Sequence, residues 1–457
     1  MTNYGVILAA GRGTRMKTEL PKCAYPILKK PMLEYTVEAV KDSFVDQTIL
    51  VVGYKKDIFI NMFDNEVIYA TQEEQMGTGH AVMCSFNKLE DEEGNTLIIC
   101  GDLPLITGEA INTVYQYHLD MNDDVTIVTT EKENPKGYGR IVRNENNIVI
   151  DIIEEQDTDS VSKLIREVNT GVLIVKTKVL KELFKDFDIN TKDEIRMTSI
   201  IKLAKQKNYR LNAYKAHNQD RFTGVNDLYA LSVVSSKIKM EINKKHMLNG
   251  VAIVDPETVT IGCDVQIEPG ATILPNTFIT GRSYIGTQSE IGPNTEIYES
   301  VIGSNTKVMH SLITDSTIKD NVTVGPFAHF RNHTVIGNNM RIGNFVEIKN
   351  SQIDDGTKVA HLTYIGDTTC GKNVNFGCGT VTTNYDGKYK HRTKIGNNVF
   401  IGCNTNLIAP VKVGNNVFIA AGSTVTEDVP DEAFTIARSR QVIKEDYKVL
   451  PKAPKGE

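Results

Sequence analysis

The sequence predicts an α/β domain with a mostly parallel, Rossmann-like sheet, followed by a parallel β-helix of hexapeptide repeats. The first half alternates apolar strand patterns with helical patterns, and the second half carries isoleucines at a fixed spacing of six residues. Glycine, asparagine and aspartate fill the positions between these isoleucines. Together these observations divide the 457 residues into two structural regions.

Residues 1–227 have the alternation of strands and helices that is typical of an α/β domain. Predicted strands cover 4–10, 48–52, 96–100, 125–129 and 172–175, and predicted helices include 32–41 and 109–119. Because strands and helices alternate along the chain, we expect the sheet to be largely parallel.

The isoleucine repeat predicts the second region, residues 251–438. Its members are Ile261, Ile267, Ile273, Ile279, Ile285, Ile291 and Ile297. This period fits neither a helix of 3.6 residues per turn nor a strand that alternates every two residues. It fits short strands that turn a corner after each hexapeptide, and pairs such as Pro269-Gly270 and Pro293-Asn294 supply turn residues. An ordinary sandwich of evenly spaced strands is the alternative.

One amphipathic helix is predicted between the two regions, over 228–248. Apolar side chains recur there at helical spacing, at Leu231, Val234, Ile238 and Ile242. Asn249-Gly250 supplies a stop signal. We therefore expect a first domain over 1–227, a helical linker over 228–250, the β-helix over 251–438 and a loosely held tail over 439–457.

The composition argues against several classes of function. A formal charge of −6 is unusual for a general nucleic-acid binder, which is normally basic. No apolar run approaches the roughly 20 residues that a membrane span requires, and the stretch 5–10 lacks the basic lead-in of a signal peptide. The seven cysteines show no CxxC pair and no metal-ligand spacing, so thiols in a reducing cytoplasm are expected.

A glycine-rich segment follows the first predicted strand, with the sequence Leu-Ala-Ala-Gly-Arg-Gly-Thr-Arg-Met at 8–16. Gly11 and Gly13 allow a tight turn whose N–H groups can face phosphate oxygens. The segment is neither a Walker loop nor the dinucleotide fingerprint, because it lacks the closing Gly-Lys-Ser/Thr and the third glycine. Arg15 and Lys22 suit a triphosphate that releases pyrophosphate. A structural turn with surface cations is the alternative.

A second candidate element is Cys100-Gly101-Asp102, at the end of a predicted strand. A carboxylate at the carboxyl end of a parallel strand lies where such sheets bind ligands. Mg²⁺ would be held there by one or two carboxylates together with substrate phosphates. Asp102 could instead only initiate a turn. Asn226, just ahead of the linking helix, is on its own better explained as an N-cap.

Residues 326–392 interrupt the hexapeptide rhythm with long polar side chains, namely Arg331, Lys349, His361, Tyr364, Asn375, Asn384, Tyr385 and Lys390. A site for a phosphorylated amino sugar would need such groups. His361 could be an ordinary surface or core histidine, but an imidazole can also accept a proton from an attacking amine near neutral pH. The loop 384–392 must protrude, and is either a tolerated insertion or a segment that reaches a neighbouring subunit.

The first half resembles the sugar-1-phosphate nucleotidyltransferases in a series of motifs that occur in order. These are the segment 8–16 with Pro21-Lys22, Gln-x-x-Gln-Met-Gly-Thr-Gly-His-Ala at 72–81, Gly-Tyr-Gly-Arg at 137–140, Asn-Thr-Gly at 169–171 and Gly-Val-Asn at 224–226. With the β-helix and the His-Leu-Thr-Tyr motif at 361–364, nearly the whole chain is similar to the bifunctional bacterial N-acetylglucosamine-1-phosphate uridyltransferase/glucosamine-1-phosphate acetyltransferase family.

The resemblance implies a left-handed β-helix, although the six-residue period is silent on hand and crossovers are generally right-handed. It implies acetyl-CoA-dependent N-acetylation of glucosamine-1-phosphate in the second region. Uridylyl transfer from UTP to N-acetylglucosamine-1-phosphate, with release of pyrophosphate, would follow in the first region. It also implies Mg²⁺, a homotrimer and a cytoplasmic location, with neither nucleic acid nor membrane as a partner.

For uridylyl transfer, the resemblance assigns phosphate stabilisation in the transition state to Arg15 and Lys22, and Mg²⁺ ligation to Asp102 and Asn226. The other contacts to UTP and UDP-N-acetylglucosamine are implied for Leu8, Ala9, Ala10, Gly11, Gln72, Gly77, Thr78, Cys100, Gly101, Gly139, Glu154 and Asn169. No protein nucleophile is expected, because the attacking phosphate is already anionic.

For acetyl transfer, the resemblance makes His361 the general base. Arg331, Lys349, Tyr364 and Asn375 would bind glucosamine-1-phosphate, and Cys378, Asn384, Tyr385, Cys403, Ala421 and Arg438 would contact acetyl-CoA. Cys378 and Cys403 depart from the alanine and serine expected in relatives, and Asn332 stands where proline is usual. An acyl-enzyme on either thiol is not expected, because the sequence shows no base for it.

Two other interpretations stay open. One is a nucleotidyltransferase with a single reaction, whose β-helix only oligomerises the chain or binds regulators. The other is a non-catalytic scaffold of the same architecture. The first predicts no organised acid–base and phosphate-binding set around His361, and the second permits the loss of phosphate and metal residues such as Lys22 and Asp102.

Overall fold

The computed structural model describes residues 1–187 and 194–447. The chain divides into two compact units, Met1–Ile238 and Lys239–Glu457. The domain limits expected from the sequence stay predictions, and the expected tail over 439–457 lies mostly outside the described residues. In the part of the chain that the structure describes, no helix has the length and apolar character needed to span a membrane.

Unit 1 has an α/β fold. Its strands are β1 (Tyr4–Leu8), β2 (Pro26–Ile27), β3 (Lys30–Pro31), β4 (Gln47–Val52), β5 (Ile68–Thr71), β6 (Asn95–Cys100), β7 (Val125–Glu131), β8 (Arg140–Arg143), β9 (Val149–Ile153), β10 (Glu167–Lys176) and β11 (Leu211–Lys215). The α-helices are α1 (Met32–Lys41), α2 (Lys56–Phe63), α3 (Thr78–Met83), α4 (Gly108–Asp120), α5 (Thr177–Phe184), α6 (Ser199–Gln206) and α7 (Leu228–Leu248), which begins in this unit. Short 3₁₀ turns cover Thr14–Met16, Lys22–Ala24, Phe86–Lys88, Glu155–Asp157, Ser162–Leu164 and Gln219–Phe222.

The main sheet of unit 1 has the order β11-β7-β10-β6-β1-β4-β5, with the β8–β9 hairpin paired to β10. Strand β1 lies between β4 and β6 and runs parallel to both. The prediction of a largely parallel sheet is therefore confirmed, but β10 runs antiparallel to β6 and β7. Because β1 and β6 are parallel neighbours, their carboxyl ends meet at the same edge, beside the turns that follow Leu8 and Cys100.

Unit 2 is a parallel β-helix, consistent with the left-handed hexapeptide type that the resemblance implies. Its strands are β12 to β39 in chain order: Ala252–Ile253, Thr260–Ile261, Gln266–Ile267, Thr272–Ile273, Phe278–Thr280, Tyr284–Ile285, Glu290–Ile291, Glu296–Tyr298, Val301–Ile302, Lys307–Val308, Leu312–Thr314, Ser316–Ile318, Thr323–Val324, His329–Arg331, Thr334–Ile336, Arg341–Lys349, Gln352–Ile353, Lys358–Gly366, Thr368–Cys370, Asn375–Phe376, Val381–Thr383, Thr393–Ile395, Phe400–Ile401, Asn406–Ile408, Val411–Val413, Phe418–Ile419, Thr424–Val425 and Phe434–Thr435.

The predicted isoleucine ladder forms the core of this β-helix. Ile261 pairs with Ile279 on the next coil, and Ile279 pairs with Ile297 on the coil after that. All seven isoleucines of the ladder are buried, in one core that continues to Val429. Since each rung stacks on an equivalent rung one coil away, the ordinary-sandwich alternative is wrong.

Most coils are 16 to 18 residues long, but one is longer. Neighbouring positions in the regular part are 18 residues apart, as in the bond between Asn276 and Asn294. Across the loop 384–392 the separation rises to 25 residues, as in the bond between Lys372 and Asn397. The strands before and after the loop keep their pairing, so the extra residues leave the stack as a protruding loop.

The linking helix α7 begins with a cap from Asp227, whose carboxylate accepts the Ala230 N–H at 2.8 Å. In unit 2 the same helix closes one end of the β-helix. There the Asn243 amide is buried and donates to the carbonyl oxygens of Pro256 and Val259, at 2.9 and 3.0 Å. The predicted helix over 228–248 is confirmed in both position and length.

Candidate functional sites

A cavity of about 600 Å³ lies at the carboxyl edge of β1 and β6 in unit 1. Its lining includes these residues predicted from the sequence: Leu8, Ala9, Ala10, Gly11, Arg15, Lys22, Gln72, Gly77, Thr78, Cys100 and Asp102. Gly101 lies behind this lining, and its N–H donates to the Leu8 carbonyl at 2.9 Å, which joins the two turns. The structure thus brings segments far apart in sequence into one cavity.

A smaller cavity of about 150 Å³ adjoins the first, and Leu8, Thr78 and Cys100 line both. Glu154 and Asn169, two of the predicted residues, line the smaller one. A Cβ on Gly139 would lie 3.4 Å from a Glu154 oxygen, so the predicted third member is beside them.

Thr198 lines the smaller cavity but was not predicted. Its hydroxyl donates to Glu154 Oε1 at 3.0 Å and so fixes that carboxylate. A hollow of about 870 Å³ lined by Cys84, Phe184 and Lys207 lies elsewhere on unit 1 and contains none of the predicted residues.

Buried contacts fix the two polar residues that follow β5. The Gln72 side chain is 3% exposed, and its amide lies 3.1 Å from the Gly77 carbonyl oxygen and 2.9 Å from His80 Nδ1. The Thr78 hydroxyl accepts the Met197 N–H at 3.0 Å. His80 was not singled out from the sequence, because its role is to hold Gln72 rather than to face the cavity.

Two cations and two oxygen donors converge at the mouth of the larger cavity. Lys22 forms an ion pair with Asp102, and its ammonium lies 3.5 Å from Asn226 Oδ1. Arg15 donates to the same amide oxygen at 2.8 Å. Burial opposes the ammonium charge of Lys22, but the Asp102 carboxylate prevails and raises its pKa. Asp227 provides the helix cap, so the N-cap interpretation of Asn226 is wrong.

This cluster fits a divalent cation that takes most of its ligands from a substrate. The Asp102 carboxylate and the Asn226 amide oxygen share one positive group, the Lys22 ammonium. Among the described residues, no group of three or more His, Cys, Asp or Glu side chains could hold a metal by itself. One carboxylate and one amide oxygen nevertheless suit Mg²⁺, which keeps several water and phosphate ligands.

In unit 2, one corner of the β-helix carries a column of residues that we call the corner column: Asn344, His361, Cys378, Cys403 and Ala421. Each stands directly before a residue with positive φ, and these are Phe345, Leu362, Gly379, Asn404 and Gly422. Asn344 pairs with His361 across neighbouring coils, and the flanking strand pairs carry the same register through the next three coils.

The corner column includes four of the residues predicted for acetyl transfer and its coenzyme. Arg438 lies next to its end, since a Cβ on Gly422 would be 3.7 Å from Arg438 Cδ. Cys378 stands one coil from His361 in the strand register, and the expectation that neither thiol has a base stays a prediction.

His361 is exposed, and Asn344 orients it. The Nδ1 atom of His361 lies 3.2 Å from Asn344 Oδ1. Because an amide oxygen can only accept, Nδ1 is the donor in this contact, and in the neutral ring Nε2 then carries the lone pair. Asn344 was not predicted, since its neighbour on the adjacent coil is 17 residues away.

A group of cations lies beyond the corner. Arg331 pairs with Lys349 on the next coil, and Arg331 Nε donates to Glu347 at 3.1 Å. The nearby ammonium of Lys390, from the protruding loop, lowers the pKa of Lys349. Tyr364 lies on the same face and pairs with Glu347. Like charges held close together in this way suit a dianionic ligand such as a phosphate.

The structure separates some of the predicted residues from this group. Asn375 pairs with Lys358 and Phe400, on the strands that precede the corner. Asn384 is buried and donates to Asp367, while the exposed Tyr385 donates to the Gly387 carbonyl within the loop at 2.7 Å. Neither loop residue belongs to the corner column, so their roles toward acetyl-CoA stay predictions.

The protruding loop is an ordered structure. Asp386 accepts the N–H groups of Lys388 and Tyr389 at 2.8 and 2.6 Å, and His391 Nε2 at 2.7 Å. These bonds, chiefly the one from Tyr389, lower the pKa of Asp386 to about 2. Because the turn is fixed by its own carboxylate, the loop presents Lys390 in a defined position.

The two units match two families of transferases. Residues 4–222 match the nucleotidyl transferase family, and residues 315–350 and 392–427 match the bacterial transferase hexapeptide (six repeats). Relatives match over almost the whole length of both chains. The bifunctional protein GlmU of Acholeplasma laidlawii (strain PG-8A) is 52% identical, with 100% of each chain covered. The GlmU proteins of Geobacillus sp. (strain WCH70) and Streptococcus thermophilus (strain ATCC BAA-491 / LMD-9) are 44% and 41% identical, with 97% and 98% of each chain covered.

The fold and the two sites define a transferase of two units, a nucleotidyl transferase followed by a hexapeptide-repeat transferase. With relatives at 41 to 52% identity over nearly their full length, the chain belongs to the GlmU family of bifunctional proteins.

Proposed function

We propose that the chain synthesises UDP-N-acetylglucosamine in two steps. Unit 2 transfers the acetyl group of acetyl-CoA to the amine of glucosamine-1-phosphate. Unit 1 then transfers uridylyl from UTP to N-acetylglucosamine-1-phosphate and releases pyrophosphate. One observation supports this proposal: the chain contains two groups of polar residues, each arranged for one of the reactions. The Lys22–Asp102 cluster lies beside the two adjoining cavities of unit 1, and the oriented His361 lies beside the cations of unit 2.

In the uridylyl transfer, the sugar phosphate attacks the α-phosphorus of UTP in line with the leaving pyrophosphate. The smaller cavity with Glu154 and Asn169 holds the sugar, and the larger cavity holds the nucleotide. Arg15 and Lys22 stabilise charge that grows on the departing phosphates. Positioning and charge neutralisation carry the step, because the attacking oxygen is already anionic.

Asp102 and Asn226 would hold Mg²⁺ in this site, with the remaining ligands from phosphates and water. When bound, the ion supplies positive charge to the triphosphate. The Lys22 ammonium contacts oxygen atoms of both residues.

In the acetyl transfer, the amine of glucosamine-1-phosphate attacks the thioester carbonyl, and coenzyme A leaves as the thiol. His361 Nε2 accepts the proton that the attacking nitrogen loses. Asn344 keeps the imidazole in the tautomer that can do so. Arg331, Lys349 and Lys390 bind the sugar phosphate. The corner column from Cys378 to Ala421 carries the coenzyme, with Arg438 next to its end.

A homotrimer fits the surface of unit 2. Three large apolar residues with positive φ, Phe327, Phe345 and Leu362, are each more than half exposed beside the corner column. Such residues are rarely placed in left-handed conformations, and contiguous exposed apolar side chains mark interaction sites. A neighbouring subunit packed there would cover them and complete the site around His361.

A coupled assay tests the whole proposal. The purified chain is given glucosamine-1-phosphate, acetyl-CoA, UTP and Mg²⁺, and UDP-N-acetylglucosamine is measured. Absence of acetylation would favour the single-reaction alternative, and absence of both reactions would favour the scaffold. His361→Ala should abolish acetylation and leave uridylyl transfer from supplied N-acetylglucosamine-1-phosphate intact. Asp102→Ala should do the reverse, and undiminished pyrophosphate release in that variant would refute the metal assignment.

A further inference from the structure

Two cysteines occupy the same position on consecutive coils of the β-helix. The pairs Phe376–Ile401 and Val381–Asn406 flank them with the same separation, which places Cys378 opposite Cys403. The Asn404 N–H donates to the Cys378 carbonyl at 2.7 Å, so the two coils are in direct contact at this point.

The geometry of the pair is compatible with a disulfide. Adjacent strands lie about 4.8 Å apart, and Cα atoms of bonded cysteines are usually about 4.4 to 6.8 Å apart. Both residues precede a left-handed residue, Gly379 with φ 76° and Asn404 with φ 55°, so both side chains leave the same corner.

The pair is also accessible. Cys403 is exposed and Cys378 is partly exposed, whereas Cys23 and Cys370 are buried. Burial raises the pKa of the Cys23 and Cys370 thiols, which makes them poor nucleophiles.

The position of the two cysteines indicates which ligand would lie beside them. Cys378 and Cys403 lie between His361 and Ala421 in the corner column, which under the proposed function carries the coenzyme. This inference therefore rests on that function. A ligand that lies along the corner column with its sulfur atom near His361 also has that sulfur close to Cys378, the next member of the column.

We propose that Cys378 and Cys403 form a redox-active dithiol that is oxidised by the disulfide of coenzyme A. The thiolate of Cys403 attacks one sulfur of the coenzyme disulfide, and the S–S bond breaks to give a mixed disulfide and one coenzyme thiolate, which takes up the proton. The thiolate of Cys378 then attacks the Cys403 sulfur and releases the second coenzyme thiol. Two protein thiols are oxidised to one disulfide, and one coenzyme disulfide is reduced to two thiols.

The disulfide would link two coils across the coenzyme groove and would slow acetyl transfer. Reduction of the disulfide to the two thiols would restore the rate. Disulfides in reducing compartments are typically of this transient, sensing kind. Uridylyl transfer would be unaffected, because the bridge lies wholly within unit 2.

The experiment incubates the full-length reduced chain with coenzyme A disulfide and measures intact mass and peptide cross-links. We expect a loss of two hydrogen atoms, a Cys378–Cys403 cross-link, loss of acetyl transfer, and recovery with dithiothreitol. Cys378→Ala should stop at a mixed disulfide on Cys403, and Cys403→Ser should form no cross-link. Cys84→Ser, a partly exposed cysteine of unit 1, should behave like the original chain.

A chain that retains all its thiols, a mixed disulfide that never resolves, or a cross-link to another cysteine would overturn the proposal. These mass readouts do not depend on activity. If the reduced chain fails to acetylate glucosamine-1-phosphate, the proposed function fails, and the cross-link still reports separately on the dithiol.

Discussion

At the scale of single residues, the bond between Asn344 and His361 defines which imidazole nitrogen can act as a base. Replacing Asn344 with leucine removes the acceptor for Nδ1–H, so the ring is free to adopt the wrong tautomer. We expect kcat for acetyl transfer to fall by about one to two orders of magnitude, with little change in KM, because general-base catalysis contributes about 10²–10⁴-fold.

Asn344→Asp is the matched variant for this prediction. It keeps an acceptor, so activity should largely return. Its carboxylate would favour the imidazolium, so the neutral base would be available only at higher pH. The acidic limb of the pH–rate profile should therefore move upward. A leucine variant with unchanged kcat would contradict the role of Asn344.

Lys22 is the second residue whose surroundings lead to a prediction. Its ammonium contacts both proposed metal ligands, Asp102 and Asn226, so a metal ion must displace it. In Lys22→Met, Mn²⁺ should bind to the nucleotide-free chain about tenfold more tightly, or about 1.4 kcal/mol. Electron paramagnetic resonance of free Mn²⁺ measures this directly. Lys176→Met, which breaks a pair with Asp124 away from the cavity, should leave Mn²⁺ affinity unchanged, and weaker binding in Lys22→Met would rule out the competition.

At the scale of elements, helix α4 is tied to the sheet by a buried histidine. His118 Nδ1 lies 2.8 Å from the Thr126 hydroxyl and Nε2 lies 3.1 Å from Asn95 Oδ1, which connects α4 to β7 and β6. Burial lowers the pKa of His118 to about 4. The unfolded chain, with a histidine pKa of about 6.5, binds the proton more readily, so unit 1 is fully stabilised above that value and loses stability as the pH falls from about 6.5 to about 4.

When the pH is lowered from 7 to 5, protonation linked to this histidine should decrease the unfolding free energy of unit 1 by about 2 kcal/mol. Urea unfolding followed by helical circular dichroism measures it, since most of the described helices belong to unit 1. His118→Gln should show a smaller pH dependence, and substitution of the exposed His217 should change nothing. An equal pH dependence in His118→Gln would show that other groups are responsible.

The β-helix could be predicted from the sequence, but the contacts between its coils could not. The isoleucine period predicted the stack, because each rung is buried against the rung one coil away. Which side chains meet across coils depends on coil length, which is 18 residues in one place and 25 in another. The sequence therefore could not predict that Asn344 lies beside His361 or that Cys403 lies beside Cys378. The antiparallel β10 was missed for a similar reason, since an apolar strand pattern carries no direction.

The first site was more predictable than the second. Its residues follow the ends of parallel strands, and such ends meet at one edge by topology alone. The motifs at 8–16 and 100–102 were each predicted to bind ligand, and the structure places both in one cavity. One alternative from the sequence made Asn226 the N-cap of α7, whereas the structure gives that cap to Asp227. Both residues are of types that cap helices, and the sequence does not show which of two adjacent ones does so.

At the scale of the whole molecule, the exposed apolar corner predicts the state of assembly. Phe327 and Phe345 stack on each other with ring centroids 5.4 Å apart and are each 56% exposed. Phe345→Glu would place a charge in the proposed interface, and sedimentation should then show a single 50.8 kDa chain instead of a trimer.

Uridylyl transfer by Phe345→Glu should persist, because its residues lie in unit 1, while acetyl transfer should fall. Val301→Glu is the control, since Val301 is also exposed but belongs to the other, nine-stranded sheet of the β-helix. A monomeric original chain, or a trimer that survives Phe345→Glu, would remove the support for this interface.

The corner column also has a consequence for the length of its ligand. Its members from His361 to Ala421 advance by one coil at each step, and each coil adds about 4.8 Å along the axis. The seven-residue-longer coil at 384–392 adds nothing to this advance, because its extra residues leave sideways. The β-helix therefore spaces these residues evenly, one coil per step, whatever the number of residues in each coil. Loops beside the column can lengthen without changing the span that a long, thin ligand would have to cover.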